Sequence, residues 1–304
     1  METIKLLLER KIAPHHLPLI QAKEQGLFKK NGIDLNLIEP DSPFAGLERL
    51  GKNEVDIALG LPLFVLFRYL TNKNITALAH ISVSQAGVFY CNNKNSEGIT
   101  AVGPEHQIYF RGGSQQLARQ LFETVVKRAG GTVPGDLNLT ADKGDGLEKL
   151  IAGEIDVLFP GDLAFDGVWL NMAGAEVECH FFTDAQLPET GELVVAASDR
   201  MVEDYPNIIQ SFISTLHSSI QEVKENPTEA LNLFSEKYPD LYPAQQLEML
   251  WQSERAALTT DFPQSFNLYT RWGEWLNENT DLDAYLDLDS LIDERFLPFE
   301  LLDF

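Results

Sequence analysis

The sequence predicts an α/β protein of two similar lobes, one inserted into the other, with a mostly helical C-terminal region. Three observations carry this expectation. The first is an internal repeat. DLNLIEPDSPFAGLERLGKNEVDIALG begins at Asp34, and DLNLTADKGDGLEKLIAGEIDVLFPG begins at Asp136. Each runs from DLNL through a turn to Gly-Leu-Glu-basic-Leu, then a Glu two residues before an Asp, then an apolar run. A spacing of about one hundred residues is far too long for a solenoid or propeller. The second observation is element order, which reads β-α-β-α-β in both halves, the pattern of parallel strands joined by helical crossovers. The third is a pair of apolar strands, 86–92 and 192–197, that flank the second unit and read as crossings. The first lobe is then 1–88 plus 193–304, and the second 89–192.

The elements follow in order. Residues 3–9 (TIKLLLE) form the first strand, and 16–31 carry an imperfect helical face that Asn31-Gly32 ends. Strand 34–38 follows directly. Asp41 or Ser42 is placed to cap a helix with Pro43 in its first turn, running to about Gly51. Strand 55–59 closes the unit. In the second unit, strand 107–110 leads through Gly112-Gly113-Ser114 to helix 115–129. Strand 136–139, helix 146–151 and strand 155–159 complete it. Beyond Arg200, helices are expected near 203–225, 227–236, 243–258 and 264–279. The acidic tail (Asp281, Asp283, Asp287, Asp289, Asp293) lacks the central Gly and terminal Glu of a calcium loop and reads as a solvated face.

Composition narrows the function. Forty-six acidic residues against 23 basic give a net charge of −23, a field that repels phosphate backbones and excludes nucleic acid as a natural partner. No apolar run reaches the roughly 18–20 residues of a membrane span. METIKLLLERKIAPHH lacks the basic start and long apolar core of a secretory signal. The expectation is a cytoplasmic protein as the sequence stands, or a periplasmic or lipid-anchored one if an export signal was removed. Cys91 and Cys179 read as two buried thiols, too few for a disulfide framework.

In open α/β sheets, ligands bind beyond the carboxyl ends of parallel strands, near helix N-termini. That rule selects four loops: Arg10 to His16, Gly60-Leu61-Pro62, Arg111-Gly112-Gly113-Ser114, and Pro160-Gly161-Asp162. Arg111 and Ser114, with the backbone N–H groups of Gly112 and Gly113 at a helix start, have the chemistry to hold a phosphate or carboxylate. The same glycines also suit an ordinary turn that needs positive φ. His15-His16 lack the further ligands of a zinc site, so His16 is a candidate ligand hydrogen bond or a packing element. Glu192, with Glu189 just before it, opens a crossing strand and is a candidate acceptor for an amine or protonated ring nitrogen. Phe64, Phe165 and Trp169 are candidate stacking rings or simply core. No nucleophile elbow, HExxH or paired Cys-His signature is present. The sequence shows binding geometry and no catalytic motif.

APHHLPLIQAKEQGLFKKNGIDLNLIEP, from Ala13, resembles the opening of the thiamine-pyrimidine precursor family within the type II periplasmic-binding-protein fold. There a Pro-x-His segment leads into an Ala-Lys-x-x-Gly-hydrophobic-Phe helix, then Gly-hydrophobic-Asp and a strand. KNEVDIALG and NPTEALNLF match later landmarks, so the resemblance spans most of the chain. The broad family includes alkanesulfonate- and nitrate-binding receptors. The resemblance implies two lobes closing over a small molecule, a pyrimidine precursor of thiamine or a related heterocycle, and an ABC permease as partner if the protein is exported. In its receptor branch a Glu leads into Glu-Leu-Val, which Glu192-Leu193-Val194 matches. His16 and Glu192 would orient the ring, Gly60 and Leu61 line one wall, and Arg111 to Ser114 and Asp162 meet a polar end.

The synthase branch implies a different chemistry. It consumes pyridoxal phosphate and a histidine of its own chain, using Lys and His four residues apart and an iron-binding cysteine-rich motif. Here those positions read Gly60, Phe64 and Leu187-Pro-Glu-Thr-Gly191. A receptor needs no cofactor, while pyridoxal phosphate and iron belong only to the synthase alternative. A sensor or receptor for a sulfonate or another small anion is the third alternative.

Overall fold

The computed structural model describes residues 1–72, 74–91, 98–189, 191–282 and 285–302. Two five-stranded mixed sheets share one topology. The first comprises β1 (Glu2–Leu7), β2 (Ile33–Ile38), β3 (Ile57–Gly60), β4 (Thr76–Ser84) and β10 (Gly191–Ala197), in the order β2-β1-β3-β10-β4. The second comprises β5 (Ala86–Cys91), β6 (Gln107–Phe110), β7 (Asn138–Ala141), β8 (Val157–Asp162) and β9 (Val177–Phe181), in the order β7-β6-β8-β5-β9. In each, three parallel strands carry the βαβαβ unit and two antiparallel strands complete the sheet. The chain passes between sheets at Gln85 and returns after β9. β5 pairs only within the second sheet and β10 only within the first.

The repeat has a structural job. Asp56 Oδ2 accepts the Lys5 amide at 2.8 Å, and Asp156 Oδ2 accepts the Gln107 amide at 2.8 Å. Each carboxylate pins the third strand of its unit to the first. A Cβ on Gly46 would lie 3.0 Å from Leu7 Cδ2, and one on Gly146 would lie 2.8 Å from Leu158 Cδ1. The small residue lets each short helix, α3 (Gly46–Gly51) and α6 (Gly146–Ile151), press onto its sheet.

Helices α1 (Leu17–Glu24), α2 (Leu27–Lys30) and α4 (Pro62–Asn72) belong to the first lobe, and α5 (Gln115–Arg128) and α7 (Val168–Met172) to the second. The C-terminal region supplies α8 (Asp199–Asp204), α9 (Pro206–Glu225), α10 (Pro227–Lys237), α11 (Ala244–Ala257), α12 (Phe266–Asn279) and α13 (Leu288–Leu291). Helices α9 and α10 join α1 and one face of the first sheet in a core that holds Phe28, Phe212 and Phe234. Helix α12 packs on α4, while α11 also touches the second lobe. No described helix is long and apolar enough to cross a membrane.

Several boundaries differ from expectation. The expected helix 16–31 is split because Gly26 takes φ 70°, and 203–225 is split at Tyr205 by Pro206. Neither Asp41 nor Ser42 caps α3. Phe44 takes φ 61° and interrupts the turn, its amide donating to the Glu9 carbonyl at 2.7 Å. Helix α4 and strands β4 and β9 have no counterpart in the sequence reading. In the tail, Asp287 and Asp293 cap short turns by accepting the Ser290 and Arg295 amides. Asn92, Thr190 and Asp283 lie outside the described residues, as does the Cys91 side chain. Cys179 is a partly buried free thiol that burial pushes up to about 12.

Because the two carboxylates do the same work, Asp56→Ala and Asp156→Ala are each expected to lower unfolding free energy by about 1–3 kcal/mol, the cost of an orphaned amide. Urea unfolding of both variants measures this. A loss confined to one of them would break the equivalence of the units.

Candidate functional site

The carboxyl ends of β1, β3, β6 and β8 converge between the sheets. By register, Leu6 pairs with Ile57 and Ile108 with Val157, so Glu9 and Arg111 hold corresponding places, each three residues further on. A cavity of about 40 Å³ lies in this cleft, lined by Glu9, Arg10, His15, Leu61, Asp162 and Glu254 among others. Ser82, Ser84 and Leu193 of β4 and β10 form its floor.

Buried Glu9 is the hub. Its Oε1 meets His15 Nε2 at 2.7 Å and its Oε2 meets His16 Nε2 at 3.0 Å. The other His15 ring nitrogen, Nδ1, reaches Glu254 Oε1 at 2.5 Å. Burial alone would lower the His15 pKa, but Glu254 and Glu9 outweigh it and raise it to about 10. His15 is therefore an imidazolium donating to a carboxylate on each side. Burial, then the charge of His15, lowers His16. Burial would raise Glu9, but the histidines hold it well below the usual carboxylate range.

Glu9, His15 and His16 place ligand atoms within 4.8 Å of one another, a spacing a divalent cation uses. The valences argue otherwise. His16 Nδ1 accepts the Ala13 amide at 3.0 Å, which fixes the ring proton on Nε2, where it is donated to Glu9. A neutral imidazole has one free lone pair, and here it is spent. In this arrangement the His16 Nε2 proton and the His15 imidazolium both donate to Glu9.

The two arginines differ in how fully they are used. Arg111 Nε donates to Asp142 at 2.9 Å and its Nη1 to Asp166 at 2.6 Å, all three residues being buried. Asp142 also accepts three amides at the start of α6, through Oδ1. Arg10 instead sits among Glu9 (3.3 Å), Asp162 (3.7 Å) and Asp166 (3.9 Å), and lies 4.9 Å from the Phe165 ring centroid. These are ion pairs without close directional hydrogen bonds, so Arg10 keeps donors unspent. Asp162 Oδ1 accepts from Ser84 Oγ and the Ala164 amide, which leaves Oδ2 toward Arg10.

The sequence-selected residues divide accordingly. Leu61 and Asp162 line the cleft cavity. His16 is adjacent but wholly committed to Glu9 and Ala13, and its neighbour His15 faces the cavity instead. Gly60 is buried under Leu47, whose Cδ1 would lie 2.5 Å from a Cβ there. Arg111 is paired with Asp142 and Asp166 and lines a neighbouring cavity rather than the one beside Arg10 and His15. Gly112 and Gly113 take φ 67° and 66°, with Phe64 packed against Gly112. Ser114 is a helix cap, its Oγ accepting the Leu117 amide at 3.1 Å. Phe64 is core, while Phe165 and Trp169 line that neighbouring cavity. Glu192 lines neither the cleft cavity nor its neighbour. Leu193 lines the cleft cavity instead, and burial together with Glu189 raises the Glu192 pKa to about 7. Arg10, His15, Glu9 and Glu254 carry the site. Arg10 and His15 lie in the loop after β1 that the strand-end rule selects. Glu9 reads as the last residue of that strand and Glu254 is distant in sequence, and the rule singles out neither.

Two lobes of one topology around a polar cleft define the type II periplasmic-binding-protein fold. The alkanesulfonate-binding protein SsuA from Xanthomonas axonopodis pv. citri, solved bound to MOPS, superposes with TM-score 0.70 at 12% identity over 96% of this chain and 98% of that one. At that identity the likeness shows the fold alone. The family model described as NMT1/THI5 like matches residues 13–230, and the chain belongs to that family. A formylaminopyrimidine-binding protein of Halalkalibacterium halodurans is 21% identical over 243 residues, covering 77% of this chain and 70% of the relative. The 4-amino-5-hydroxymethyl-2-methylpyrimidine phosphate synthase THI5 of Saccharomyces cerevisiae is 29% identical over 80 residues, 26% of this chain. This chain thus spans only 24% of that enzyme's length.

Two outcomes follow for stability. His15→Leu leaves Glu9 and Glu254 buried without their cation and is expected to cost about 3–5 kcal/mol. The His15 contribution is complete below its ordinary 6.5 and is lost as pH rises toward about 10, so chemical denaturation across that range should show the variant without this alkaline decline. Glu192 has the opposite sense from a depressed acid. Its raised pKa costs stability as pH climbs from its ordinary 4.5 to about 7, and Glu192→Gln should gain about 1 kcal/mol at pH 8 and nothing at pH 4. Thermal melts at both pH values test this.

Proposed function

We propose that this chain is a small-molecule binding protein that closes its lobes over a flat nitrogen heterocycle of the aminopyrimidine class. The observation that carries the reading is Arg10 beside Asp162. Unspent guanidinium N–H groups and a free carboxylate oxygen stand together at the cavity wall. That pair matches a ring nitrogen next to an exocyclic amine, one accepting and the other donating. Leu61 and Leu193 supply apolar surface for the ring.

Charge supports a neutral or cationic ligand. Glu9, Glu254, Asp142, Asp162 and Asp166 outnumber Arg10, Arg111 and His15 by five to three. A sulfonate or nitrate would enter a cleft already negative. The name of the Halalkalibacterium relative agrees with the pyrimidine reading. The yeast synthases point to an enzyme, but the amine and imidazole that their branch uses fall at Gly60 and Phe64, where Leu47 and Gly112 fill the space. As a receptor, the chain would deliver its ligand to an ABC-type permease, a role in keeping with the ligand-binding component of an ABC-type import system among its structural neighbours.

Calorimetric titration with 4-amino-5-hydroxymethyl-2-methylpyrimidine and its N-formyl-aminomethyl relative tests the reading. Micromolar binding is expected, weakened about tenfold or more in Arg10→Leu and in Asp162→Asn, the scale of one charge-assisted hydrogen bond. Taurine and nitrate should not compete. Silence toward every pyrimidine, in folded protein, would overturn the ligand assignment. A purified protein that retains pyridoxal absorbance or iron would favour the synthase instead.

A further inference from the structure

Past Arg10 and Phe44, which both cavities share, the cleft continues into a second cavity of about 290 Å³. Its walls come from six separate stretches of the chain: the loop after β1, the loop that holds Pro43 and Phe44, Arg111, the start of α6, the π-turn Leu163–Gly167 with α7, and the segment at Tyr242. It is complete only where the lobes meet.

Four aromatic rings, Phe44, Phe165, Trp169 and Tyr242, line it beside charged groups that include Arg10, Lys11, Arg111, Glu148 and Asp166. Phe165 and Trp169 stack at 6.0 Å with 18° between planes, and Tyr242 meets them edge-on at 6.5 and 5.5 Å. Rings of the core such as Phe122, Phe159, Phe212 and Trp272 are wholly buried. Phe165, Trp169 and Tyr242 are only partly buried, and each keeps surface on the cavity. Tyr242 is held in place by its hydroxyl, which donates to the Ile12 carbonyl at 2.9 Å. Beneath them Asp166 Oδ1 is fully buried with no hydrogen-bond partner, 3.9 Å from the guanidinium of Arg10. Partly exposed rings set at stacking angles, beside a carboxylate oxygen that lacks a donor, are what a flat guest with a polar edge requires.

We infer that this second cavity is a ring-binding subsite continuous with the cleft, taking an aromatic group attached to the heterocycle that lies against Arg10 and Asp162. The ligand is then a two-ring molecule rather than a single pyrimidine. The linkage rests on the function proposed above, whereas the ring subsite does not. Arg10 stands at the junction of the two cavities, its charge facing the head group and its flat face lying over Phe165.

Free indole tests the subsite alone. Ligand-observed NMR of the full chain should show binding near about 1 mM, weakened at least about tenfold in Trp169→Ala and retained in Trp169→Phe. Circular dichroism and thermal melting of each variant confirm that it is folded. No indole binding by the wild type, or equal binding by Trp169→Ala, would overturn the inference. The linkage is tested by calorimetry with 4-amino-5-benzyl-2-methylpyrimidine against 4-amino-2,5-dimethylpyrimidine. The benzyl compound should bind about tenfold or more tightly in the wild type, and Trp169→Ala should abolish that advantage. If indole binds at Trp169 and the benzyl group adds nothing, the continuity fails. If indole binds there and neither pyrimidine binds, the cleft assignment falls while the ring subsite stands.

Discussion

A buried carboxylate sets the terms for this cleft. Glu9 follows β1 directly, and burying it requires compensation that water would otherwise supply. His15 provides it as an imidazolium shared with Glu254, and His16 adds a neutral donor. The arrangement ties the end of β1 to α11, two elements 239 residues apart in sequence at the His15–Glu254 contact. It also occupies the charges that would otherwise compete for Arg10. Arg10 is left with loose ionic neighbours and open donors because the histidines have already satisfied Glu9.

The second lobe solves the corresponding problem with the opposite sign. At the place that matches Glu9 stands Arg111, a buried cation compensated by Asp142 and Asp166. Asp142 also organises the start of α6, so the cation and the helix share one support. Asp166 faces both arginines, one at 2.6 Å and one at 3.9 Å. Through Asp162 and Asp166, Arg10 is the charge that reaches across from the first lobe to the second. Contacts of this kind form only when the lobes are together, and so they bias the cleft toward closure.

Much of the fold was legible because the repeat carries it. Asp56 and Asp156 stand at equal places in the repeat and are two copies of one strand clasp. Helix α4 escaped notice because PLFVLFRYL buries most of its length and offers no clear polar stripe. The site was less legible. Arg111 reads as a free cation in sequence, since nothing local announces carboxylates 31 and 55 residues away. Glu192 and Leu193 occupy alternate faces of β10, and the sequence alone does not say which face looks into the cleft. Arg10 lay within a loop that the strand-end rule had selected. Its importance depends on which neighbours are already satisfied, and only three-dimensional placement reveals that.

The insertion of β10 between β3 and β4 has a consequence for how the chain is born. The second sheet is built from one continuous stretch and can form as soon as β9 emerges. The first cannot, since Ile57 must wait for Ala197, and Gly60 for Val194. At a synthesis rate of about 5–20 residues per second, that delay is roughly 7–30 s. Throughout it, β3 presents an apolar edge with no partner, and completion joins strands distant in sequence, the slow kind of pairing. The lobe encoded second is thus the one that folds first, and the N-terminal lobe is finished around it.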